Sequence, residues 1–150
     1  MTRFLGVVAL FVAVATSSLF TEASAASLSG RDVSSLVFVT NRDSNDVVAV
    51  DTATNTLVSR FEMGPSCVPH MAMLSYDGKK LVVPGTARNE LMVFDVVSGK
   101  VLARVAVGAS PEHLSISPED SRLAYVGNFD GGTVSAVDLT TYKEVARIEG

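Results

Sequence analysis

Apolar and polar residues alternate along most of the chain after residue 35, in short stretches separated by turn-forming residues. The stretches are rich in Val, Ile, Leu and Thr, and clusters of Asp, Asn, Gly, Ser and Pro lie between them. A period of two residues is typical of a β-strand with one buried face, and the clusters are typical of hairpin turns. No window of about 12 residues in this region combines a helical period with capping residues, so the pattern predicts an all-β protein.

The predicted strands recur in a fixed order. Three segments align without gaps at their starts: LVFVTN from Leu36, LVVPGT from Leu81 and LAYVGN from Leu123. The stretch that follows each of them ends at an aspartate, and these aspartates are spaced by 44 and 43 residues: Asp51, Asp95 and Asp138. The next stretch closes with a glycine: Gly64, Gly108 or Gly150. With one further strand before the next leucine, each unit has four strands in about 40 to 45 residues, which is the blade of a β-propeller.

This repeat predicts the domain organisation. We expect a linker at 26–35, an incomplete first blade at 36–64, a second blade at 65–108 and a third at 109–150, about two and three-quarter blades. Propellers avoid an open edge by letting a C-terminal segment complete the first blade. A seven-bladed ring at this period needs roughly 300 residues. We therefore expect the N-terminal part of a longer protein, and the alternative is a short chain that closes a ring by oligomerising.

The first 25 residues have the features of a secretory signal peptide. Arg3 precedes an apolar run from Phe4 to Ala15, and Ala23-Ser24-Ala25 fits a small-residue cleavage site. The run is shorter than the roughly 20 residues that a membrane span needs. We expect cleavage before Ala26 and a periplasmic or secreted protein without a membrane span, the alternative being an uncleaved anchor.

The composition of the chain limits the kinds of partner that it is expected to bind. The chain carries 12 Lys and Arg against 16 Asp and Glu, a formal net charge of -4. The basic residues are scattered, whereas phosphate binding needs them clustered, so no nucleic-acid partner is expected. The small-molecule or protein partner stays open at this stage.

The repeat resembles the YVTN family of β-propeller repeats, whose unit reads approximately YVTNxxxxxVxVIDxxTxxVxxxIxVG followed by xxPxxxxxSPDG. The resemblance covers Leu36 to Gly150 and is carried by VFVTN…VVAVDTATNTLVSRFEMG and AYVGN…VSAVDLTTYKEVARIEG. It implies that the strand after the glycine and proline is innermost and that the three later strands step outward. The second unit departs from the pattern at Pro84 and Gly85. Since proline removes a ladder donor, we expect the strand to end or bulge at Val83.

Three residues are candidates for ligand binding. His70 and His113 follow a proline by one or two positions in successive units, and Cys67 precedes His70 by three residues. We expect the histidines to occupy equivalent positions in adjacent blades, which puts both imidazoles on one face near the mouth of the central channel. Imidazole and thiolate bind transition metals, so Cys67, His70 and His113 are candidate metal ligands and the two histidines candidate cofactor ligands. The alternatives are hydrogen bonding to a neighbouring blade and acid-base catalysis.

The resemblance sharpens one of these options. The paired histidines are similar in spacing to those of propellers in d-type-haem nitrite reductases and related haem-handling proteins, where histidines of nearby blades face the cofactor. This implies a haem or a transition metal near His70 and His113. We expect a ligand- or protein-binding scaffold, with a redox or cofactor-handling propeller as the alternative. No catalytic residue is predicted: the recurring aspartates are expected to nucleate turns, and the acidic metal ligands of lactonase propellers are not found.

Overall fold

The strands form three antiparallel sheets that follow one another along the chain. The computed structural model describes residues 27–119 and 121–150, so the predicted signal peptide lies outside the described residues. The first sheet contains β1 (Leu36–Asn41), β2 (Asp46–Asp51) and β3 (Thr56–Glu62). The second contains β4 (Met73–Leu74), β5 (Lys80–Gly85), β6 (Glu90–Asp95) and β7 (Val101–Ala106). The third contains β8 (Pro111–Ile116), β9 (Leu123–Asn128), β10 (Thr133–Asp138) and β11 (Lys143–Glu149).

Each sheet pairs its strands in sequence order, as expected for hairpin-connected blades. The first sheet has three strands and the others have four, which confirms the predicted all-β class with about two and three-quarter blades. The helical segments of the described residues are two 3-10 helices, Val33–Ser35 and Thr86–Arg88. Within these residues, no helix is long and apolar enough to span a membrane.

Strand β5 begins one residue earlier than the sequence alignment predicted. The aspartate that ends the second strand of each unit pairs with the first residue of the preceding strand: Leu36 with Asp51, Lys80 with Asp95 and Leu123 with Asp138. The counterpart of LVFVTN is therefore KLVVPG, and the alignment on Leu81 was wrong by one residue. Lys80 is half-buried at this position, whereas its counterpart Leu36 is 8% exposed.

Pro84 neither ends nor bulges its strand, so that prediction was wrong. β5 continues through Gly85, and Pro84 pairs with Leu91 of β6 without a register shift. A strand residue directs its N–H toward one neighbour only. On the other side, the ladder with β4 already stops at Val82, so a missing donor at Pro84 removes no ladder bond there.

Two apolar cores lie between neighbouring sheets. The first junction, between the first and second sheets, contains aromatic rings and sulfur-bearing side chains: Phe61, Phe94, Met63, Met92 and Cys67. Leu28 joins this core and is 1% exposed, and its N–H donates to Val97 O of the second sheet. The second junction, between the second and third sheets, is aliphatic: Val82, Leu91, Val93, Val105, Val107, Leu114, Ile116, Ala124, Val126, Val137 and Leu139. Met71 and Met73 pack against it, as expected for apolar side chains on one strand face.

The recurring aspartates organise the turns at the edge of the sheets remote from the histidines. The Asp51 carboxylate accepts N–H bonds from Ala53 and Thr54, and Asp138 does the same with Thr140 and Thr141. The backbone oxygen of each aspartate accepts a bond from a residue with positive φ four positions later: Asn55, Gly99 and Tyr142. The prediction of a turn-nucleating role is confirmed.

Candidate functional site

Two crossovers carry the candidate residues to one edge of the sheets. The first crossover (residues 64–69) joins β3 to β4, and the second crossover (residues 108–111) joins β7 to β8. Pro69 forms a bridge with Gly85, and Pro111 pairs with Asn128. Gly85 and Asn128 are the last residues of equivalent strands, so Pro69 and Pro111 are equivalent positions. The first crossover is therefore two residues longer than the second.

The two histidines do not occupy equivalent positions, which corrects the sequence prediction. His70 directly follows Pro69, whereas Glu112 directly follows Pro111 and His113 comes one residue later. The pairing of β8 with β9 is irregular at this point, between Pro111 and His113. The two imidazoles nevertheless come together: their ring centroids are 6.3 Å apart and their planes are tilted by 53°. Both residues are exposed.

The backbone beside each histidine is held by a threonine of the preceding sheet. Thr40 Oγ1 donates to His70 O at 3.4 Å, and Thr86 Oγ1 donates to Pro111 O at 2.8 Å. Each crossover is thus anchored to the neighbouring blade while the imidazole remains accessible. The expected proximity of the two rings is confirmed, and their role as ligands stays a prediction.

A cavity of about 310 Å³ opens beside His113. Its wall includes Phe129, which is 73% exposed, together with Val134, Thr133 and backbone glycines. Leu114 lies in the second junction, and successive strand residues point to opposite faces. His113 therefore belongs to the face of the third sheet that is turned away from the second, where this cavity lies.

Cys67 differs from the two exposed histidines because it is buried. The residue is 0% exposed, and its Sγ lies 3.7 Å from Glu90 Oε1 and 3.9 Å from Met92 Sδ. Burial, followed by the nearby Glu90 carboxylate, raises the pKa of the Cys67 thiol to about 11. The thiol is therefore protonated at neutral pH and donates toward Glu90. Its predicted role as a metal ligand stays a prediction.

Two arginines that the sequence analysis did not single out surround Glu90. Arg88 and Arg104 both form ion pairs with the Glu90 carboxylate. Arg104 Nη2 also donates to Met63 O at 2.8 Å, and Arg88 Nη1 donates to Pro65 O at 3.4 Å. The two arginines therefore neutralise the partly buried Glu90 carboxylate. Their bonds to Met63 O and Pro65 O also hold the chain at the start of the first crossover. The sequence repeat could have identified Arg104, because arginine recurs at intervals of 44 and 43 residues, at Arg60, Arg104 and Arg147.

The two imidazoles lie further apart than two histidine ligands of one tetrahedral metal ion. Two imidazoles on a tetrahedral metal with nitrogen ligands at about 2.0 to 2.1 Å have ring centroids roughly 5 Å apart, closer than the pair observed here. Among residues 27–119 and 121–150, no group of three or more His, Cys, Asp or Glu side chains is arranged to hold a metal ion. The two accessible imidazoles could instead contact one larger ligand, and His113 alone also lines the cavity.

Sequence comparison relates most of the chain to proteins of known family. Residues 31–150 match the family model described as the cytochrome D1 heme domain. The uncharacterized protein YncE of Salmonella typhi is 31% identical over 113 residues, which are 73% of this chain and 31% of that protein. YncE of Salmonella typhimurium is 31% identical over 112 residues with the same coverage. The chain thus spans about a third of the length of these curated relatives.

Solved structures share the fold. Hydrazine synthase of Kuenenia stuttgartiensis superposes with a TM-score of 0.72 at 23% identity, covering 77% of this chain and 33% of that chain. The dihydro-heme d1 dehydrogenase NirN, in complex with DHE, gives a TM-score of 0.64 at 24% identity, covering 78% of this chain and 25% of that chain. At these identities the likeness shows the fold alone, and it confirms the partial β-propeller.

Proposed function

The chain belongs to the cytochrome D1 heme domain family, and on that premise we propose that it forms part of a propeller that binds a haem-type cofactor against His70 and His113. The observation that carries the proposal is the pair of exposed imidazoles, 6.3 Å apart between ring centroids, within the matched region. Histidine is a common axial ligand of haem iron. A bound haem would supply iron for redox or ligand chemistry, and the protein's part is to present the two rings.

The test is a titration with ferric haem of the exported form of the chain, which we expect to begin at Ala26, followed by the Soret band. The chain has two histidines, so a His70→Ala, His113→Ala double variant retains none. Replacing residues that merely support a metal ligand typically weakens binding by about 10- to 100-fold, so loss of the ligands should cost at least on the order of tenfold. Each single variant should lie between the wild type and the double variant.

Two controls make the titration decisive. Met71→Leu is a useful control because methionine can also be an axial ligand of haem iron. The Met71 side chain packs against the second junction, so this variant should leave the haem affinity unchanged. A parallel titration with Zn²⁺ alone should show no high-affinity site that depends on both histidines. Equal haem binding by the wild type and the double variant would contradict the proposal, and a wild type that binds no haem would leave the scaffold interpretation in its place.

We also propose export of the protein. The support is the basic, apolar and small-residue pattern of residues 1–25. Expression of the complete chain in a Gram-negative host should give a periplasmic product whose mass corresponds to a start at Ala26. Deletion of residues 2–25 should leave the product in the cytoplasm. A full-length mass in the periplasmic fraction would indicate the uncleaved anchor.

We propose further that the three sheets are part of a larger ring, whose domain boundaries follow the predicted blades. The first sheet has three strands, and β1 lies at one edge of it without a neighbour. The curated relatives are about three times as long as the region matched. A fourth strand supplied to β1 would satisfy its unpaired backbone groups. Light scattering tests this: a ring closed by several copies requires an oligomer, and a ring closed by one longer chain requires a monomer of that chain.

A further inference from the structure

The first crossover contains two residues that the second crossover lacks. Ser66 and Ser110 both follow the initial glycine by two positions, and both have positive φ, 56° and 53°. The second crossover then proceeds directly to Pro111, whereas Cys67 and Val68 intervene before Pro69. These two residues are the insertion, and they immediately precede the segment that carries His70.

The backbone of the insertion is fixed to the first sheet. The N–H groups of Cys67 and Val68 both donate to Asn45 Oδ1, at 2.7 and 2.8 Å. Val68 has a φ of 53°, a conformation that a β-branched residue adopts only when its surroundings impose it. In the second crossover a single bond serves the same purpose, from Ser110 N–H to Asn89 Oδ1 at 2.9 Å.

The Cys67 side chain occupies a space that asparagine fills in the other sheets. The positions equivalent to Gly85 are Asn41 and Asn128, whose amides donate at 2.8 Å to Asp46 Oδ1 and at 2.9 Å to Thr133 Oγ1. Asp46 and Thr133 are equivalent to Glu90, toward which Cys67 Sγ is directed. A Cβ atom at Gly85 would lie 2.5 Å from Cys67 Sγ. The thiol thus replaces both the volume and the donor of an asparagine side chain.

We propose that Cys67 is a positioning residue, which locks the insertion against Gly85 and Glu90 and so places the His70 imidazole beside His113. The lock has three parts: the buried thiol, the two N–H bonds to Asn45 and the bridge between Pro69 and Gly85. His70 follows the last of these directly. The significance of the placement for cofactor binding rests on the proposed function, whereas the placement itself does not.

A double-mutant cycle tests the proposal with ferric haem as the probe. Cys67→Ala should weaken haem binding by on the order of tenfold in the wild type. It should have no further effect in the His70→Ala background, because its effect passes through that ring. In the His113→Ala background the effect should persist. Cys67→Ser, which retains a donor toward Glu90, should recover most of the affinity.

A cofactor-free measurement separates the two proposals. The ring-proton nuclear Overhauser effect between His70 and His113 should be present in the wild type and Cys67→Ser and lost in Cys67→Ala. If the effect is lost but the wild type binds no haem, the positioning role stands and the proposed function fails. The positioning role is overturned if the effect is equal in all three proteins, or if Cys67→Ala weakens haem binding equally with and without His70.

Discussion

The two junctions between sheets solve the same packing problem with different side chains. The first junction uses aromatic rings and sulfur atoms, with Phe61 in edge contact with Phe38 and Phe94 at centroid distances of 5.9 and 5.6 Å. The fully buried core of the second junction consists of Val, Leu, Ile and Ala, with Met71 and Met73 partly buried against it. The first junction is also the one that follows the longer crossover, and Cys67 of the insertion is part of its core.

The largest expected effect distinguishes the two cores. Phe61 is 0% exposed and touches two other rings, so Phe61→Ala should lower the free energy of unfolding by about 3 to 5 kcal/mol. Val126→Ala in the second junction removes fewer buried atoms and should cost about 2 kcal/mol. Urea denaturation of both variants measures the difference. Equal losses would show that the aromatic cluster adds nothing to the first junction.

A smaller effect concerns the space beside the first crossover. Gly85→Ala places a methyl group 2.5 Å from Cys67 Sγ, an overlap that should cost about 1 to 3 kcal/mol. A comparison change in the third sheet is Gly127→Ala, one position before the equivalent residue Asn128, where the nearest atom is His113 Cβ at an ordinary 3.7 Å. Its effect on unfolding should stay within about 1 kcal/mol and can be stabilising, because alanine restricts the unfolded chain.

The pair of glycine variants has an internal control. If the cost of Gly85→Ala arises from the thiol, adding Cys67→Ala should return part of the lost stability, since the two side chains compete for one space. A double variant less stable than the sum of the two single losses would contradict this explanation. Thermal unfolding of the four proteins completes the cycle.

The repeat made most of the fold predictable, because each blade must bury an alternating strand face and close its hairpins with turn residues. The register of the strands was harder to predict from the sequence. Leu81 looked like the counterpart of Leu36, yet the aspartate spacing of 44 and 43 residues already pointed to Lys80. The position accommodates both a buried Leu36 and a half-buried Lys80, so matching leucines misled the alignment.

The candidate site was only partly predictable, because its exact geometry depends on an irregular part of the chain between strands. The repeat located His70 and His113 at one edge of the sheets, but they follow their prolines by one and two positions, so they are not equivalent. The two-residue insertion is invisible to periodicity because its residues pair with no strand. The role of Gly85 could not be predicted either, because it depends on its contact with Cys67. The Cys67 side chain fills the space that asparagine fills in the other sheets.

The smallest expected effect extends the comparison to the turns at the remote edge. Hydrogen bonds from the hydroxyl and then the N–H of Ser98 lower the pKa of Asp95. In the third sheet the backbone N–H groups of Thr141 and Thr140 lower the pKa of Asp138, with a further contribution from Arg122. A carboxyl whose folded pKa is lowered stabilises the protein above its unfolded pKa of about 4, and that stabilisation is lost as pH falls through the folded pKa.

Because different donors lower the two pKa values, we expect Asp95 and Asp138 to respond differently to one substitution. Ser98→Ala removes the first cause at Asp95 and should raise its pKa toward the ordinary value while leaving Asp138 unchanged. Stability should be nearly equal to that of the wild type at pH far below 4, where both carboxyls are protonated, and lower than the wild type above that range. NMR titration of the carboxyl resonances, combined with urea denaturation on both sides of pH 4, measures this. A pKa at Asp95 that does not rise would show that the backbone N–H alone holds the carboxylate, and the two turns would then be physically alike.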